Sequence, residues 1–188
     1  MVISVTAVGF VESEKHLCPR SGAKEGDLVY LSGQLGDSGA GLKALKMSIK
    51  GFDDLKKRHL MPRCRFDVID RIAPFASSMI DVSDGLSSEL HHIARESRCG
   101  LLISEERIPV SQSVREFSKA VNKSPYDFVY SGGEDYELLY TIPKEYRDYS
   151  LGFEIGIVTK GKSVFVEREG VKRELKVQGY DHLKATTS

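Results

Sequence analysis

What this chain lacks narrows the field before any motif is read. It has three cysteines, Cys18, Cys64 and Cys99, an odd number at wide spacing, with no CxxC pair and no metal-binding spacing. A disulfide-built scaffold is therefore disfavoured. Free thiols in a reducing compartment are the simplest account, and the expected location is cytoplasmic. An excess of charge of either sign is also missing: 27 Lys plus Arg balance 27 Asp plus Glu. That argues against a nucleic-acid binder relying on bulk positive charge. No apolar run is long enough to span a membrane. The start, Met1-Val2-Ile3-Ser4-Val5, has neither the basic residues nor the small-residue cleavage site of a signal peptide. There is no internal repeat and no low-complexity segment. The glycine-rich stretch Gly33 to Leu42 matches neither GxGxxG nor a P-loop, because no lysine follows its last glycine. Its small residues suit close helix packing.

What is present is ordinary in bulk and unusual in two places. The 188 residues, 40% hydrophobic and 29% charged, are enough for one sizeable domain with its own core. Asp81-Val82-Ser83-Asp84-Gly85 follows the apolar pair Met79-Ile80 and precedes an amphipathic stretch from Leu86 to Arg98. This reads as strand, acidic turn, helix. Alternation along a strand puts Asp81 and Ser83 on one face, and Asp84 stands where a helix begins, as an N-cap candidate. Two carboxylates three residues apart repel a phosphate but suit Mg²⁺, a hard cation held by one or two carboxylates plus phosphate oxygens. The alternative is that Asp84 only caps the helix and Asp81 is a solvated acid.

The second dense stretch is Ser131-Gly132-Gly133-Glu134-Asp135-Tyr136-Glu137-Leu138. Its glycines predict a tight turn, and three acids follow within four residues. Acids at the mouth of a strand are costly to bury unless a cation, a metal or a hydrogen-bond donor meets them. The alternative is a solvated turn.

Elsewhere, strands are expected over Val2–Val8, Asp27–Ser32, Gly100–Ile103, Tyr136–Ile142, Glu154–Val158, Ser163–Val166 and Leu175–Val177. Helices are expected from Gly33 through Leu45, over Gly51–Arg58, Asp67–Phe75 and Leu86–Arg98, and over Ser111–Val121 with Ser111 as cap. His91 and His92, being adjacent, point about 100° apart on a helix and are read as structural or exposed. The strands and helices do not alternate strictly, which predicts one α+β domain with helices against a mixed sheet.

Read together and in order, Arg20 to Asp27, Ser32 to Ser38, the acidic turn, Gly132 to Leu138 and Gly179-Tyr180-Asp181-His182 resemble the thiamine-monophosphate kinase family. The likeness runs from about residue 2 to residue 183. Either motif alone points only to the wider superfamily that includes aminoimidazole ribonucleotide synthetase. The resemblance implies that superfamily's C-terminal α+β domain over residues 11–188. Residues 1–10 then correspond to the last strand of an N-terminal domain that carries further metal-binding aspartates and a dimer-forming sheet. It implies transfer of the γ-phosphoryl of ATP to thiamine monophosphate, with Mg²⁺, in a complete enzyme that is a homodimer. By the same resemblance Asp81 and Asp84 are metal ligands, Arg20 and Ser83 contact ATP, and Glu134 and Tyr180 contact the substrate. No nucleophile, nucleic acid or membrane is implied, and without the N-terminal half the chain is expected to be inactive. Two other readings stay open, a sister ATP-dependent enzyme of the superfamily and a non-catalytic module binding nucleotide or a partner.

Overall fold

The computed structural model describes residues 3–11, 13–14 and 17–177. The strands β1 (Leu28–Leu31), β2 (Ser78–Asp81), β3 (Gly100–Ser104), β4 (Leu138–Ile142), β5 (Phe153–Thr159), β6 (Val164–Arg168) and β7 (Val171–Glu174) form one sheet in the order β2-β4-β1-β5-β3-β6-β7. All neighbours are antiparallel except β3 and β6, so the sheet is mixed, as expected. The helices are α1 (Asp37–Lys46), α2 (Asp53–Leu60), α3 (Phe66–Ile72), α4 (Leu86–Ser97), α5 (Gln112–Ala120) and α6 (Pro125–Ser131).

Strand alternation sorts the side chains into two cores. Val29, Leu31, Ile80 and Leu139 face a large core shared with Leu86, Leu90 and Ile93 of α4, Val114 and Phe117 of α5, and Val129 of α6. The intervening residues Leu28, Tyr30, Met79, Leu138, Tyr140 and Ile142 face the opposite side, where α3 contributes Ile72. A register shift between Val29 and Tyr30 against β5 sets Ile155 and Val158, three apart, on the same face.

Small residues do bring α1 close to its neighbours. A Cβ on Gly41 would stand 2.1 Å from the Leu55 carbonyl oxygen of α2, and one on Gly39 would stand 2.7 Å from the Gly132 Cα. Ser111 caps α5 as expected, accepting from the Val114 N–H at 3.1 Å.

Three expectations need correction. Residues 3–10, expected to be a strand, carry none, and Ile3, Val5, Val8 and Phe10 are exposed. The last strand is Val171–Glu174 and not Leu175–Val177, because Glu169-Gly170 supplies a left-handed two-residue turn that pairs Arg168 with Val171 at once. Helix α6 was not foreseen. It starts on a Ser124 cap with Pro125 in its first turn, a legible signal that the short length of the helix obscured. No helix among the described residues is long and apolar enough to cross a membrane.

Candidate active site

The two acidic motifs lie side by side because β2 and β4 are paired. Their ladder runs Ile80 to Leu139 and Asp81 to Leu138, and then continues beyond both strands. The Val82 N–H donates to the Glu137 carbonyl at 2.8 Å, Tyr136 N–H to Val82 at 2.9 Å, and Glu134 N–H to Ser83 at 2.8 Å. Gly133 is required here: its φ is +63°, and a Cβ would stand 2.5 Å from the Ser83 carbonyl oxygen. Glycine is equally required at 85, where φ is +105° and a Cβ would meet the Tyr130 carbonyl oxygen at 2.5 Å.

Asp84 does not cap α4. Gly85 takes the N-cap position, and no side chain caps it. Instead Glu89, in the first turns of α4, reaches back beneath the loop and accepts the N–H groups of Ser83 at 3.3 Å and Asp84 at 2.9 Å. Glu89 thus holds the acidic turn in shape and leaves the Asp84 carboxylate free. Neither the Asp81 nor the Asp84 carboxylate takes a hydrogen bond or an ion pair from a described residue.

Burial pushes the Glu89 carboxyl up to about 7, outweighing the backbone donors that favour its ionised form. Its Oε2 is buried with no hydrogen-bond partner among the described residues. Between its ordinary 4.5 and about 7 the folded chain holds a proton that the unfolded chain has released. Stability in metal-free buffer is therefore expected to be greatest on the acid side and to fall as the pH rises through that window. Glu89→Gln is expected to reduce the fall and to leave the part due to Asp135, whose carboxyl burial also pushes up to about 7, checked by urea midpoints at about pH 5 and about pH 8. A midpoint that rises with pH in wild type would contradict this.

The acids of the second motif divide into two structural and one free. Asp135 is buried, and its carboxylate accepts the N–H groups of Gly36 at 2.7 Å and Ser38 at 3.0 Å, capping α1 from a distant part of the chain. Glu137 is buried against two arginines: Arg58 donates to it at 2.7 Å, Arg65 at 2.5 Å, and the Ser32 hydroxyl at 2.6 Å. Burial is met by donors in both cases, although at Asp135 it still outweighs them and pushes the carboxyl up to about 7. Anchoring Asp135 and Glu137 turns Glu134 and Tyr136 the other way. Both hold left-handed backbone, at φ +57° and +52°, conformations that non-glycine residues keep only where the surroundings enforce them.

The side chains so presented line a cavity of about 500 Å³. Ser83 and Asp84 form one wall and Glu134 and Tyr136 the other, with Lys46 from α1 and His59 from α2 completing it. Burial raises the Tyr136 hydroxyl, and the charges of Glu134, Asp81 and Asp84 add to the shift. Arg20 does not line the cavity. The Pro19 carbonyl accepts the Met79 N–H at 3.0 Å, so Arg20 lies across β2 from Glu134. The Arg20 backbone carbonyl accepts from the Ser97 hydroxyl at 3.4 Å, at the C-terminal end of α4. Burial lowers the pKa of His92, with help from Arg95 and Arg20. Three of the six expected site residues, Ser83, Asp84 and Glu134, line the cavity, and Asp81 ends the strand that leads into it. Arg20 lies apart from the cavity, and Tyr180 falls outside the described residues. His91 is structural, its Nδ1 2.7 Å from the Ser87 carbonyl oxygen. His59, Lys46, Tyr136 and Glu89 were not among the expected site residues: Glu89 stands in a segment legible only as helix, Lys46 and His59 just past the expected ends of theirs, and Tyr136 in a motif read for its acids.

The donor set fits a hard divalent cation: two free carboxylates at one turn, and a buried carboxyl oxygen without a partner just beneath. Among the described residues no group of three or more His, Cys, Asp or Glu is placed to hold a metal. The two aspartates would therefore leave most of the coordination sphere to water and phosphate, which is how Mg²⁺ is usually held.

Residues 24–169 match the family model "AIR synthase related protein, C-terminal domain". The chain is 38% identical over 175 residues to the thiamine-monophosphate kinase of Aquifex aeolicus (strain VF5), covering 90% of this chain and 56% of that protein. It is 41% identical over 150 residues to the thiamine-monophosphate kinase of Haemophilus influenzae, covering 78% of this chain and 45% of that protein. The fold superposes on AaThiL complexed with AMPPCP and TMP with a TM-score of 0.80 at 37% identity, covering 88% of this chain and 54% of that one. The chain spans about half the length of the curated relatives it matches. The match over residues 24–169, carried by a mixed sheet and helices of the same arrangement, establishes that the chain belongs to the AIR synthase-related C-terminal domain family.

Proposed function

We propose that this chain is the C-terminal portion of an ATP-dependent kinase that transfers the γ-phosphoryl group to thiamine monophosphate, giving thiamine diphosphate and ADP. The observation that carries the reading is the cavity walled by the acidic turn on one side and by Glu134 on the other. Its support is the likeness to thiamine-monophosphate kinases and to AaThiL complexed with AMPPCP, an ATP analogue, and TMP.

In this reading Asp81 and Asp84 hold Mg²⁺, which would neutralise charge on the phosphates as it transfers. Ser83 and Arg20 position ATP. Glu134, whose side chain is 53% exposed at the cavity, complements the cationic thiazolium or accepts from the aminopyrimidine amine. Tyr180 supplies an aromatic face for the same substrate. Phosphoryl transfer needs little covalent help and depends on metal charge and alignment, so no nucleophilic side chain is called for. Residues 1–10 lead in from an N-terminal portion, residues 11–188 form the nucleotide and substrate domain, and the complete enzyme is a cytoplasmic homodimer.

The 188-residue chain is expected to bind thiamine monophosphate by calorimetry, weakly, and to lose that binding in Glu134→Gln. It is expected not to turn over alone, because the second half of the metal and phosphate machinery is supplied by the rest of the enzyme. Robust phosphorylation by the chain alone would contradict its dependence on the rest of the enzyme, and binding unaffected by Glu134→Gln would contradict the substrate role of Glu134.

A further inference from the structure

We infer that His59 is a positioning residue that sets the Glu134 carboxylate at the substrate cavity through the Nδ1 edge of its ring. This rests on the reading that Glu134 meets substrate. His59 Nδ1 lies 3.3 Å from Glu134 Oε2 and 2.9 Å from the Ser38 hydroxyl oxygen. The Ser38 hydroxyl is the hydrogen-bond partner of Nδ1, and with the proton on Nδ1 the same ring edge stands at ion-pair distance from Glu134.

The ring is well anchored for this work. It projects from the last turn of α2, and Ser38 is fully buried in the first turn of α1. The Ser38 N–H is held by Asp135 at 3.0 Å, the residue next to Glu134. Arg58, beside His59, donates to the Asp135 carbonyl at 3.0 Å and to Glu137 at 2.7 Å. Asp135 and Glu137 thus fix the backbone that follows Glu134, and His59 addresses the one carboxylate of the motif that they leave at the cavity. Glu134 is half exposed, with three rotatable bonds and a strained backbone. Left alone its carboxylate samples several rotamers, and a donor from a rigid helix selects one. His59 itself lines the cavity, so the pair forms part of its wall.

Because the contact is made by Nδ1 and not Nε2, two near-isosteric substitutions separate positioning from packing. Asparagine places an amide N–H near the δ position, whereas glutamine places it near ε. In the full-length enzyme His59→Gln and His59→Ala are expected to raise the KM for thiamine monophosphate roughly tenfold, the scale of one lost hydrogen bond to a charged group. His59→Asn is expected to stay within about twofold of wild type, and the KM for ATP is expected to be unchanged in all three. In a Glu134→Gln background His59→Ala is expected to add little, since the two act as one unit. If His59→Asn and His59→Gln behave alike while both fold, or if His59→Ala adds its full effect to Glu134→Gln, the inference is overturned and the functional reading stands. If Glu134→Gln alone leaves the KM for thiamine monophosphate unchanged, the functional reading fails and takes this inference with it.

Discussion

Replacing either Asp81 or Asp84 by asparagine is expected to lower kcat of the complete enzyme on the order of a hundredfold and to shift its Mg²⁺ requirement upward. Loss of one group that stabilises transition-state charge costs about 3 kcal/mol. The change keeps shape and removes charge, and neither carboxylate takes a hydrogen bond or an ion pair from a described residue. Folding should therefore be nearly indifferent, with melting temperatures close to wild type. This separation of activity from stability is the signature of a ligand-binding acid. A capping aspartate would show the reverse, a stability loss of about 1 kcal/mol with kinetics intact. The cap position belongs to Gly85, and the turn is held by Glu89, which makes the first outcome the expected one. The measurement is kcat against Mg²⁺ concentration alongside thermal unfolding of the same samples.

Glu137→Ala is expected to be the most destabilising single change in the second motif, by about 3 kcal/mol. Glu137 is 5% exposed and joins three separate parts of the chain: Arg58 of α2, Arg65 at the start of α3, and Ser32 at the end of β1. Removing it leaves two guanidinium groups in a partly buried site without their acceptor. The arginines are about one-fifth exposed, which lets water relieve some of the loss and places the estimate at the lower end for broken buried pairs. Glu137→Gln retains the volume and one acceptor and is expected to cost less. Urea unfolding of the two variants and wild type decides the matter. A change below about 1 kcal/mol in Glu137→Ala would mean that the network is solvated and holds nothing together.

The contrast between Glu137 and Glu134 shows how far the sequence reads. Acidic residues three apart look alike on the page, and the excess of acid at a strand mouth signals only that something must compensate it. Here three compensations operate at once: a helix N-terminus for Asp135, two arginines for Glu137, and exposure for Glu134. Their partners come from residues 36–65, far away in sequence, so no local pattern assigns them.

The acidic turn was more legible, since strand, turn and helix are local. Even so, the cap assignment to Asp84 was off by one residue, because Gly85 can take the unusual backbone angle that lets α4 begin there. The buried strands and amphipathic helices were readable from periodicity. Short helix α6 was not, and the edge strand β7 was displaced because its four residues are all exposed and carry no alternation. Glu89 could have been flagged, as an acid on the otherwise apolar face of α4 beside Leu90 and Ile93.

The most direct test of the central claim is ³¹P NMR of a reaction containing ATP, Mg²⁺, thiamine monophosphate and the complete enzyme that includes this chain. The account predicts one thiamine diphosphate formed for each ADP, and loss of both signals together in Asp84→Asn. ADP accumulating without thiamine diphosphate, or turnover undiminished in Asp84→Asn, would contradict it.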